Sequence, residues 1–209
     1  MTHVVITGGS RGIGAALVEG YSARGDMVSA PTRHDLDLAK PHTIAAWAVI
    51  CPSPVDLLIC NAGVYEDRTE TLDVGYPPDM WERSFATNVT GVFLLVQALL
   101  PQLRGSKSAK VAIISSQMGS STKASGTSLI YRASKAAALN LGFNLASGLK
   151  ADGIAVGIYH PGWVRTDMGG ASADISVEQS RDGLMARFDA LSLATTGCFE
   201  TWDGRAHPI

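Results

Sequence analysis

Val4-Val5-Ile6-Thr7-Gly8-Gly9-Ser10-Arg11-Gly12-Ile13-Gly14 is the stretch that decides the fold. Its apolar start is the kind of run that parallel sheets bury. Gly8, Gly12 and Gly14 then allow a tight turn, a close backbone approach to a pyrophosphate, and tight packing of the next helix on the strand. A helix beginning near Ile13 turns its unbonded N–H groups toward anionic oxygens. An ordinary strand-to-helix turn is the plainer reading. The motif's place at the first strand of an alternating chain favours dinucleotide binding.

Working outward, strands and helices alternate. Ile13–Arg24 reads as a helix with Gly25 at its C-terminal cap, and Met27–Ala30 as a strand. Pro41–Ile50 reads as a helix, Val55–Cys60 as a strand, and Asp79–Leu103 as one long helix. Lys110–Ser115 and Ile154–Tyr159 read as strands flanking the helix Ile130–Lys150. Ser176 caps a helix to about Leu191 with Gln179 placed for a capping box, and Cys198–Thr201 can form a last strand. The expected fold is α/β, a Rossmann-type doubly wound parallel sheet with helices on both faces. Only ten residues, Pro31–Lys40, separate Ala30 from Pro41. A crossover helix needs about a dozen, so the second crossover helix is expected to be missing or reduced, with a stub of strand at Asp35–Leu38.

The 209 residues read as one dinucleotide-binding domain. A net charge of −2 gives no footprint for nucleic acid. The apolar run Val92–Leu100 is too short to span a bilayer, and with Met1-Thr2-His3 leading straight into the first strand no leader is expected. Cys51, Cys60 and Cys198 lack metal or disulfide spacing and fit a reducing cytoplasm. The five histidines form no metal set.

The chemistry sits in Tyr131-Arg-Ala-Ser-Lys135. Four residues apart on a helix, phenol and ammonium share a face, with Cβ atoms roughly 5–6 Å apart. A nearby cation is expected to lower the Tyr131 pKa and make it a proton donor near neutral pH. Ser115 and Ser116 end a strand at the edge where open α/β sheets bind ligands. One hydroxyl there can polarise a carbonyl while the other serves the turn. Asn88, a poor residue for a helix interior, can hold a water or distort its helix beside Lys135. Asn61-Ala62-Gly63 and Pro161-Gly162-Trp163-Val164-Arg165-Thr166 follow strands at the same edge. No serine has the G-x-S-x-G frame of a hydrolase.

Together these motifs resemble the short-chain dehydrogenase/reductase family over nearly the whole chain, closest to the small C-factor and sniffer-type carbonyl reductases. The marks are T-G-x-x-x-G-x-G at Thr7–Gly14, N-A-G at Asn61–Gly63, Asn88, Ser-Ser at 115–116, Y-x-x-x-K at 131–135 and P-G-x-x-x-T at Pro161–Thr166. The resemblance implies a hydride passed between NADP(H) and a carbonyl or alcohol substrate, with Tyr131 as general acid/base. It implies that Lys135 holds the nicotinamide ribose, that Ser116 rather than Ser115 polarises the carbonyl, and that Asn88 holds a relay water. Thr166 and the Val164 backbone would fix the carboxamide, and Asp37 and Leu38 would line the adenine. The implied cofactor contacts also include Gly8, Ser10, Arg11, Gly12, Ile13, Gly14, Arg33, Asn61, Ala62, Gly63, Pro161 and Gly162. Cys60 stands where the family usually has a first Asn, and the loop from Ser116 to Tyr131 is longer than usual.

At the cofactor's adenosine end, an NAD site wants an acidic residue at the close of the second strand. Here Thr32 holds about that position, with Arg33 beside it and Arg11 in the glycine loop. Two cations suit a 2′-phosphate, so NADP(H) is expected over NAD, with Asp35 as the counter-indication. Apolar residues beyond one stripe on the Asp79–Leu103 and Ile130–Lys150 helices point to a homodimer or homotetramer. The alternative function is an NADP-binding regulatory or signalling protein with little turnover.

Overall fold

The computed structural model describes Met1–Ile209 throughout. Along the chain run β1 (His3–Ile6), α1 (Gly12–Ala23), β2 (Met27–Ser29), α2 (Pro41–Ile50) and β3 (Leu57–Cys60). After a long loop come α3 (Pro78–Phe85), a π-helical turn (Ala86–Thr90), α4 (Gly91–Ala98) and α5 (Leu100–Arg104). The second half holds β4 (Lys110–Ile114), α6 (Leu129–Leu149), β5 (Ala155–His160), α7 (Val177–Ala190) and β6 (Phe199–Thr201). The six strands form one parallel sheet in the order β2-β1-β3-β4-β5-β6. No helix is long and apolar enough to cross a membrane.

Side chains alternate across the pleat. Val5, Leu58, Val111, Ile113 and Val156 face the larger core, under α2, α4 and α6. Val4, Ile6, Leu57, Ile59, Ala112 and Tyr159 face the other, against Leu17 and Tyr21 of α1 and Leu184 and Phe188 of α7. Both faces are therefore covered, as the unbroken apolar strands require. Ser176 and Gln179 form the expected capping box at α7.

Two expectations are corrected. Asp35–Leu38 forms no strand; it is a run of turns, so β2 is the sheet's edge. With ten residues and no crossover, the segment folds inward. Leu36 and Leu38 enter the larger core beside Ile44 and Trp47. The single long helix is also broken. Its apolar pattern runs on, but the π turn at Ala86–Thr90 inserts a register shift around buried Asn88, and α5 starts anew at Leu100.

Candidate active site

The C-terminal strand ends open into a cavity of about 600 Å³. Thr7 and Asn61 build its floor by tying β1 to β3. Thr7 Oγ1 accepts from the Asn61 and Ala62 N–H groups, each at 3.1 Å, and Asn61 Nδ2 donates to the Thr7 carbonyl at 3.0 Å. The glycine cradle requires its glycines. Gly8 is at φ +69°, and a Cβ there would stand 2.9 Å from Ala62 Cα. A Cβ on Gly14 would stand 2.1 Å from the Gly8 carbonyl oxygen. The first turn of α1 carries no acidic side chain, so its free N–H groups face the cavity unopposed.

Most of the expected cofactor contacts converge here. Gly8, Ser10, Arg11, Gly12, Ile13, Gly14, Arg33, Asp37, Leu38, Asn61, Ala62, Gly63, Tyr131, Lys135, Pro161 and Thr166 all line the cavity. Gly162 instead lines a second cavity beside Trp202. Val164 is buried, and its carbonyl accepts from Thr166 Oγ1 at 3.3 Å.

Tyr131 and Lys135 lie on α6, both buried. Ser115 lines the cavity and its Oγ donates to the Lys135 carbonyl at 2.9 Å; Ser116 does not line it, and its Oγ accepts from the Met118 N–H at 3.1 Å while acting to lower the pKa of the Tyr131 phenol. Ser115 thus anchors α6 from the cavity wall, and Ser116 caps the short turn that follows β4. Asn88 accepts from Val64 N–H and donates to the Val64 carbonyl, both at 2.9 Å, and to Ser134 Oγ at 3.0 Å. A Cβ on Gly63 would touch both Asn88 Oδ1 (3.2 Å) and Lys135 Nζ (3.4 Å), so the two side chains converge where that Cβ would stand.

The electrostatics overturn one expectation. Burial pushes the Tyr131 phenol up to about 12; the Ser116 hydrogen bond only partly opposes it. The Lys135 ammonium sits 5.6 Å from the ring centre and donates to the Ile114 carbonyl at 2.9 Å, and it does not offset the effect of burial. Burial also brings Lys135 itself down to about 8.

At the adenosine end, the Asp35 carboxylate is held by Thr32, accepting from its N–H at 3.0 Å and its hydroxyl at 2.7 Å. It does not line the cavity, whereas Arg33 and Asp37 do. Arg33 Nε lies 3.6 Å from Asp37, and Arg11 pairs at 3.1 Å with Asp167. Both arginines are largely exposed, so these pairs are weak and can be exchanged for a stronger anion.

Sequence reasoning missed the segment Tyr65–Arg68. The Tyr65 ring stacks on Tyr131 with centroids 4.3 Å apart, and buried Asp67 binds the first N–H groups of α6. No local pattern announces these contacts, since they join a loop to a helix some sixty residues later.

The model of the short chain dehydrogenase family matches residues 41–175. The C-signal protein of Myxococcus xanthus is 37% identical over 161 residues, covering 76% of this chain and 95% of its own. The NADPH-bound carbonyl reductase from chicken fatty liver superposes with a TM-score of 0.90 at 30% identity, covering 100% and 99% of the two chains. The Sniffer carbonyl reductase of D. melanogaster shares the fold, with a TM-score of 0.87 at 22% identity over the full length of both chains. The chain belongs to the short-chain dehydrogenase/reductase family.

Proposed function

We propose that this protein is a single-domain, NADP(H)-dependent reductase of carbonyl compounds, or oxidant of the matching alcohols, with Tyr131 as the general acid/base. The observation that carries the reading is that Tyr131 and Lys135 stand in the wall of the same cavity whose other end is the glycine cradle. The chicken protein's bound NADPH supports the cofactor, and the cradle's close approaches fit a pyrophosphate. Gly8–Gly14 would hold the pyrophosphate, Arg11 and Arg33 the 2′-phosphate, Asp37 and Leu38 the adenine, and Pro161–Thr166 the carboxamide. When bound, the nicotinamide supplies the hydride.

The side chains do the rest. Ser116 donates to the substrate oxygen and polarises the carbonyl. Tyr131 gives that oxygen its proton, and its high pKa keeps the phenol loaded at neutral pH. Lys135 offers its ammonium to the nicotinamide ribose and to the phenolate left behind. Asn88, bonded to Val64 and Ser134, fixes the loop beside Lys135 through which the proton is replaced. The half-buried and exposed apolar residues of α4 and α6, Phe93 foremost, support a homodimer.

The 37% identity to C-signal favours a second reading, a cofactor-binding signalling protein with little turnover. NADPH titration combined with a panel of electron-poor aldehydes, ketones and quinones separates the two. Turnover supports the reductase; tight binding without turnover across the panel supports the second reading.

A further inference from the structure

Four side chains stand in a column through the site. The Arg68 guanidinium lies 4.8 Å from the Tyr65 ring centre. The Tyr65 ring lies 4.3 Å from that of Tyr131, at an interplanar angle of 24°. The Lys135 ammonium lies beyond, 5.6 Å from the Tyr131 ring centre. Arg68 also donates to the Met168 carbonyl in the loop after β5. One short segment, Tyr65–Arg68, therefore touches the proton donor and both loops around it.

The cap of α6 is unusual. Ser128 stands at the N-cap position, and serine is among the best residues there. It nevertheless sits at φ +54° and makes no side-chain cap bond. Its hydroxyl is engaged instead with the Tyr65 hydroxyl at 2.6 Å. The cap comes from another element: Asp67, 1% exposed, accepts from Ile130 N–H at 2.7 Å and from Tyr131 N–H at 3.2 Å. No cation pairs with that carboxylate. The N–H bonds and the positive end of the helix dipole offset its burial. A local serine cap would have stabilised the helix alone. A carboxylate reaching in from the β3–α3 loop also fixes where the first turn, and so Tyr131, stands relative to that loop.

We infer that Asp67 and Tyr65 are positioning residues for Tyr131, Asp67 fixing the backbone that carries the phenol and Tyr65 fixing the plane of its ring. The inference rests on the reading of Tyr131 as proton donor. Small displacements of a reacting group can lower a rate by about a hundredfold. The clasp acts on that displacement and leaves the cofactor cradle alone.

The test compares wild type with Asp67→Ala, Asp67→Asn, Tyr65→Leu, Tyr65→Phe and Tyr131→Phe, using NADPH and para-nitrobenzaldehyde. Circular dichroism checks folding. Asp67→Ala and Tyr65→Leu should lower kcat by about 10- to 100-fold, with NADPH affinity changed by less than about threefold. Asp67→Asn keeps an acceptor and Tyr65→Phe keeps the stacked ring, so each should recover most of the lost kcat. Tyr65 is part-exposed, so Tyr65→Leu carries the test if Asp67→Ala does not fold. Wild-type kcat in Tyr65→Leu, or a loss appearing only in NADPH affinity, overturns the inference provided that Tyr131→Phe is inactive. An active Tyr131→Phe, or a wild type without turnover, overturns the reading of the site itself.

Discussion

Lys135 holds its ammonium 2.9 Å from the Ile114 carbonyl oxygen and 5.6 Å from the centre of the Tyr131 ring. The lysine is thus fixed by β4 rather than by the tyrosine. Burial disfavours charge on both, raising the phenol to about 12 and lowering the amine from 10.5 to about 8. If the ammonium serves the ribose and the nascent phenolate, kcat/KM should be flat below neutrality and fall as pH rises through about 8. Stability has the opposite sign. Between about 8 and 10.5 the unfolded chain keeps a proton that the folded chain has lost, so folding becomes more favourable as pH rises. A pH–rate profile level past 9.5 would contradict the assignment of about 8.

A second titration concerns acid. His160, at the end of β5, is buried with no partner for Nδ1, and burial first, then His207, lowers it from 6.5 to about 4. As pH falls through 6.5 the unfolded chain takes up a proton that the folded chain refuses. The stabilisation, on the order of 3 kcal/mol, is complete above 6.5 and lost by about 4. Asp203, held at about 2, titrates below that window. Urea midpoints for wild type and His160→Asn, taken across it, should show a steep fall only in wild type. Parallel falls would assign the effect elsewhere.

Cofactor choice turns on two exposed arginines. NADPH should bind at least about tenfold more tightly than NADH, and Arg11→Ala/Arg33→Ala should erase most of that margin. Asp35→Ala should leave the margin intact, because the carboxylate is tied to Thr32. Dissociation constants for the two cofactors in these variants decide it. Equal wild-type affinities would defeat the assignment.

Assembly is tested at α4. Val92, Leu95 and Val96 are consumed by the chain's own core, so less apolar surface remains than the sequence suggests. Phe93, 39% exposed, remains with half-buried Leu94, Leu141 and Leu145. Light scattering at micromolar concentration should show a dimer that Phe93→Glu converts to monomer. A monomeric wild type refutes the proposal.

Much of this fold was readable because local signals agreed. The glycine loop, the buried apolar strands and the capping box at Ser176 each show in the residue pattern of a few consecutive positions. The shortness of Pro31–Lys40 correctly ruled out a crossover helix. What Leu36 and Leu38 did instead depended on a core built by α2 and α4. Asn88 marked a distortion of its helix but not its form; the π turn coincides with the two bonds between Asn88 and Val64, which are tertiary. The Tyr131 pKa failed for a similar reason. The spacing to Lys135 shows that a cation is near, but burial and the Ile114 carbonyl decide what that cation does.

The central claim is that the Tyr131 proton is the one transferred. Tyr131→Phe keeps the ring, its stack on Tyr65 and the cavity wall, and removes only the hydroxyl. The decisive measurement is turnover of this variant with NADPH on a carbonyl compound that wild type reduces, paired with its NADPH dissociation constant. The account predicts a fall in kcat of roughly 10²–10⁴-fold with cofactor affinity largely retained. Turnover near the wild-type rate would contradict it.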